Sequence, residues 1–113
     1  MELPSEIRVG ENTYVLKQES NSNYVIVRTY SAGVFAGYLE KQIGKEVTLS
    51  NARRIWYWEG AASLSQLAVE GTTKPEKCKI AMPVNVILTE AIEILSVTEK
   101  AKNIIEGAAV WKV

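Results

Sequence analysis

From Tyr24 to Trp58 the chain is an almost unbroken run of β-forming residues, cut at short intervals by turn chemistry, and this pattern limits the fold more than any other feature. Tyr24-Val25-Ile26-Val27-Arg28-Thr29-Tyr30 is dense in β-branched and aromatic side chains, which suit a pleated surface and crowd a helix. Ser31-Ala32-Gly33 turns the chain, Val34 to Gln42 reads as a second strand containing Gly37, and Gly44 marks the next turn. Glu46-Val47-Thr48-Leu49 alternates polar with apolar, and Ser50-Asn51 reads as a turn ahead of another strand, Ala52 to Trp58. Short strands joined by short turns predict an antiparallel β-meander that curls into a small barrel or half-barrel.

The pattern changes at Glu59-Gly60. Ala61 to Glu70 has good helix formers with Leu64, Leu67 and Ala68 at helical spacing, and Gly71 stands where a C-terminal cap belongs. Gly71 to Lys79 reads as a surface loop. Val84 to Leu95 predicts a long strand with Val86, Leu88, Ile92 and Ile94 on one parity, bent or bulged near Thr89-Glu90 where Glu90 interrupts that face. Thr98 caps a second short helix that Gly107 stops, and Trp111 argues that the tail docks. The fold class is therefore α+β with two short helices. Ile7 to Lys17 predicts two strands around Gly10-Glu11-Asn12, so residues 1–22 read as an N-terminal β-hairpin appendage, set off by Ser20-Asn21-Ser22-Asn23 from a single domain over residues 23–113.

A chain of 113 residues with 47% hydrophobic content buries about two thirds of its surface on folding, so it needs neither disulfide nor metal for stability. Its thirteen acids are all Glu; Asp and His are absent. Without His, neither a Ser-His-Asp nor a Cys-His relay can be assembled, and the commonest metal ligand is missing. Binding is therefore expected in place of catalysis, with no cofactor and no metal. Thirteen Lys and Arg balance the thirteen Glu, so no global field draws a polyanion, and a general nucleic-acid role is disfavoured. The single cysteine, Cys78, allows no intrachain disulfide; it reads as an ordinary thiol at a strand start, ahead of a reactive one activated by Lys77 and Lys79. No signal-like start and no spanning-length apolar run is present, so the expected location is the cytoplasm, with no membrane partner.

The residues that best suit a ligand are Arg53, Arg54, Trp56 and Trp58, followed by Gly60, Ala61, Ser63, Ser65 and Gln66. Strand alternation places Arg54, Trp56 and Trp58 on one face and Arg53, Ile55 and Tyr57 on the other. A guanidinium beside two indoles can stack a flat ring and neutralise a phosphate. The small residues that follow let an anion approach the free N–H groups of a helix start. Arg28 and Tyr30, with Tyr24 and Ile26 on the same parity, form a second cluster. Each feature also has a structural reading: a strand Trp is often core, Ser63 caps a helix, and Arg28 pairs with a nearby Glu.

Val34 to Leu39 together with Lys45 to Arg53 resembles the hairpin of Sm-like small barrels, which implies a ring that binds RNA or single-stranded DNA. Tyr24 to Val113 resembles a family of small tailed-bacteriophage proteins. The resemblance rests on Val27-Arg28-Thr29-Tyr30-Ser31-Ala32-Gly33-Val34, Ala52-Arg53-Arg54-Ile55-Trp56-Tyr57-Trp58, Ser63-Leu64-Ser65-Gln66-Leu67-Ala68 and Glu90-Ala91-Ile92-Glu93-Ile94-Leu95. It implies a phage accessory protein and carries no catalytic residue with it. The expected function is thus sequestration of a small anionic nucleotide-like signal by a homo-oligomer acting against host defence. The alternatives are a module that inhibits a host protein or assists phage assembly, and nucleic-acid binding through an Sm-like ring.

Overall fold

The β-dense run forms the centre of a six-stranded antiparallel sheet in a computed structural model that describes residues 23–113. The expected hairpin over residues 1–22 lies outside the described residues. Strands β1 (Tyr24–Thr29), β2 (Val34–Ile43) and β3 (Glu46–Tyr57) make the meander. In β1 the residues Tyr24 to Val27 are buried without a break, because both faces of the sheet are covered. Tyr24 and Ile26 join the core beneath the helices, while Val25 and Val27 join a second core on the concave face. Period two survives here as a choice of core, not as a choice between core and water.

Ser50-Asn51 does not end a strand, contrary to the sequence expectation. β3 runs straight through it for 12 residues. Asn51 takes the left-handed conformation (φ 48°) that Asn tolerates, and the pairing slips there: Tyr38 faces Ser50, but Ala36 faces Arg53. The result is a bulge, an extra residue absorbed inside the ladder. Gly37 lies opposite, where an added Cβ would come within 2.8 Å of the Ala52 Cα. The glycine inside β2 is thus a requirement of close backbone approach.

After β3 come α1 (Leu64–Glu70), a 3-10 turn (Pro75–Lys77) and the two-residue strand β4 (Lys79–Ile80), which begins inside the surface loop that the sequence predicts over Gly71 to Lys79. The predicted long strand is present as β5 (Val84–Leu88) and β6 (Ala91–Ser96), interrupted at Thr89-Glu90. The interruption resets the inward set, so Ala91 and Ile94 pack on the concave core while Ile92 is exposed, against the simple parity expectation. β5 pairs with β3, whereas β6 pairs with β1. Two residues can join strands on opposite margins only if the sheet rolls up. The Ala91 N–H bonds the Lys45 carbonyl and the Tyr30 N–H bonds the Glu90 carbonyl, which hold that roll as a half-barrel around Val27, Phe35, Val47, Leu49 and Leu88.

Helices α1 and α2 (Glu99–Gly107) cover the other face through Leu67, Ala68, Ala101 and Ile105. Thr98 joins them: its hydroxyl accepts from the Ala101 N–H and donates to the Val69 carbonyl, and its own N–H donates to the Ala68 carbonyl. One residue therefore caps the start of α2 and satisfies carbonyls at the end of α1. α2 ends at Gly107, where the sequence predicts its stop, with Ala108 as the C-cap. The tail then lies beside β4, with the Trp111 N–H bonded to the Ile80 carbonyl at 2.9 Å. This positions the site.

Candidate functional site

Arg53 and Arg54 are adjacent in sequence and opposite in role. Arg53 points under the helices and is 3% exposed. Its Nε donates to the Ala81 carbonyl at 2.8 Å, Nη1 to the carbonyls of Ile105 and Ala108, both at 2.8 Å, and Nη2 to that of Ile80 at 3.1 Å. Longer contacts reach the Glu106 and Ala109 carbonyls. The planar fork thus gathers the open C-terminal carbonyls of α2 and ties them to β4. Burial draws the guanidinium pKa down, with the nearby Tyr24 and Glu106 opposing that fall. Arg53 was expected to face a ligand; its donors are spent inside the protein.

Arg54 emerges on the other face. Its guanidinium carbon lies 4.6 Å from the centre of the buried Phe35 ring and 5.5 Å from that of Trp56. Its Nε is buried without a hydrogen-bond partner among the described residues, and no carboxylate there pairs with it. The two indoles expected on a common face separate. Trp56 is 60% exposed, whereas Trp58, beyond the end of β3, is half-buried against the core under the helices. Trp111 takes the place expected of Trp58. Its ring meets Trp56 edge-on, with centroids 6.5 Å apart and planes at 61°. Lys79 Nζ lies 5.4 Å from the Trp111 centroid and 5.9 Å from that of Tyr57. The Tyr57 hydroxyl donates to Glu59 at 2.6 Å, and this bond raises its pKa.

The open helix start expected after Glu59 is taken in part by the protein itself. Ser63 is the N-cap and its Oγ accepts from the Gln66 N–H, while Gln66 Oε1 accepts from the Ala62 N–H. Gln66 Nε2 is held by Glu70. Gly60 stands in close approach to Thr72, Thr73 and Lys74, which leaves no room for a side chain. Ala61 is half-buried against the core, and Ser65 is exposed, its hydroxyl without a hydrogen bond among the described residues. Arg28 pairs with Glu93 at 2.9 Å, both half-exposed. Across β2 it stands two strands from Ile55 (Arg28 opposite Val34, Val34 opposite Ile55), and Tyr30 is 77% exposed beyond it. Neither joins the indoles.

The surface that remains is Arg54, Trp56, Tyr57, Lys79 and Trp111. Alternation finds Arg54 and Trp56 together but puts Tyr57 on the opposite face. Tyr57 is joined to them through Lys79 and Trp111, which arrive through β4 and the tail, pairings that no local pattern announces. Two cations over exposed aromatic rings can stack a planar group and neutralise an anion beside it. Among the described residues no three His, Cys, Asp or Glu gather as metal ligands, and no helix is long and apolar enough to cross a membrane. A family model, a domain of unknown function (DUF6948), matches residues 22–105. It brings with it neither a phage origin nor an Sm-like relationship. No curated protein and no solved structure matches the chain.

Proposed function

We propose that this chain, which belongs to the DUF6948 family, is a non-catalytic binding protein that holds a nucleotide-type anion on the Arg54–Trp56 surface. One observation carries the reading: a guanidinium with no carboxylate partner among the described residues stands beside an indole that is 60% exposed. An indole left 60% exposed forgoes burial that would stabilise the fold, and the cation beside it has no carboxylate to neutralise it among the described residues. Phosphate on Arg54 and base on Trp56 use both features at once. Affinity without turnover suits sequestration of a nucleotide signal, as an accessory protein acting against host defence requires.

Calorimetric titration with AMP tests it. Arg54→Ala and Trp56→Ala should each weaken binding by roughly tenfold or more, since one charged hydrogen bond or one stacked ring supplies about 1.5–3 kcal/mol. Ser63→Ala should leave it unchanged, because the Ser63 hydroxyl is spent on capping α1. Absence of AMP binding at millimolar concentration removes the reading. A protein interface is favoured instead by the exposed Met82, Val84 and Val110 along the same margin. It predicts a stoichiometric protein partner that Trp56→Ala releases and AMP does not displace.

A further inference from the structure

Arg54 with Trp56, and Lys79 with Trp111, are two separate ring-and-cation units. A clamp for one base needs two parallel plates with the base between them. The indole centroids are 6.5 Å apart but the planes stand at 61°, so these rings cannot close on one base as such plates do. Each indole can instead take a planar group of its own, and both are substantially exposed (60% and 44%). Among the described residues neither Arg54 nor Lys79 has an ion pair, so each unit also has a positive charge to neutralise. Two rings and two charges at neighbouring positions describe a ligand with two bases and two phosphates.

Resting on the proposed reading, we infer that the occupant is a dinucleotide, with one base and one phosphate on each unit. Stacking of a second base strengthens binding by roughly 5- to 150-fold. A single nucleotide fills the Arg54–Trp56 unit alone. A strand longer than two nucleotides gains little, because no third cation accompanies the two units: the remaining ring, Tyr57, shares Lys79 and has its hydroxyl on the Glu59 carboxylate.

The test compares AMP, 5′-phosphorylated diadenylate (pApA) and octa-adenylate by calorimetry with the full chain. The expected results are a pApA affinity at least about tenfold above that of AMP, and an octa-adenylate affinity within about threefold of pApA. Trp111→Ala should lower pApA to the level of AMP while changing AMP itself by less than about threefold. Lys79→Ala, a change at an exposed side chain, should reduce the same gain and guards against misfolding of the Trp111 variant. Equal affinity for AMP and pApA overturns this inference and leaves the proposed function standing. A continued climb to octa-adenylate overturns it in favour of single-stranded nucleic acid. Failure of all three to bind sinks both.

Discussion

Arg53→Met is expected to destabilise the protein by about 3–5 kcal/mol, the scale seen when a buried charged partner is removed from its network. The side chain is 3% exposed and its four short bonds all end on backbone carbonyls. Methionine fills much of the volume and supplies no donor. The carbonyls of Ile105 and Ala108, at the end of α2, and of Ile80 and Ala81, around β4, would then lose a buried partner. Each such loss costs about 1–3 kcal/mol, tempered where a carbonyl keeps another bond, as Ile80 does with the Trp111 N–H. Lysine is a poor substitute, since one ammonium cannot reproduce a fork aimed at several carbonyls. Thermal unfolding checks the expectation: the midpoint should fall by at least about 12 °C for Arg53→Met. Arg54→Met, read beside it, should fall by far less, because Arg54 makes no hydrogen bond through its side chain among the described residues. Equal falls would mean that the two arginines are not divided as described.

Gly60→Ala is the second large effect, with an expected cost of about 2–4 kcal/mol from overpacking and from left-handed backbone. Gly60 has φ +88°, a region that L side chains rarely adopt. An added Cβ would also strike Thr72 Oγ1 and come within 2.7 Å of the Lys74 nitrogen and 2.8 Å of the Thr73 nitrogen. That oxygen is already engaged, since it donates to the Glu59 carbonyl and accepts from the Lys74 N–H. No flexible side-chain end is available to yield. The denaturant midpoint should drop, while the protein that stays folded without denaturant should bind AMP as the wild type does. A drop in AMP affinity without loss of stability would return Gly60 to the phosphate-contacting role that its sequence context suggests.

These two residues also show what the sequence could express. The meander strands and both helices were legible because each depends on neighbours: β-branched density in Tyr24–Thr29, Thr98 as a cap, Gly71 as a stop. The first helix, expected from Ala61, starts only at Leu64 because Ser63 caps it, which was the structural reading of that serine. The bend at Thr89-Glu90 was legible because a carboxylate interrupts an apolar parity. Which arginine is buried was not. Alternation separates Arg53 from Arg54, but the bulge at Ser50-Asn51 shifts the register of everything after it, and a bulge looks like a turn in sequence. Trp58 was assigned to the face of Trp56 because parity assumes that the strand continues; β3 ends at Tyr57. Lys79 and Trp111 entered the surface through pairings between segments 22 or more residues from Tyr57, and only the folded chain brings them there.

The chain has three tryptophans, and their indole N–H resonances report on three different environments. An AMP titration followed through those resonances tests the central claim most directly. Trp56 should move with saturation, Trp111 in contact with it should follow to a smaller extent, and Trp58, packed against the core under the helices, should stay in place. Movement of Trp58 with Trp56 unaffected, or no movement of any indole at millimolar AMP, would contradict the account.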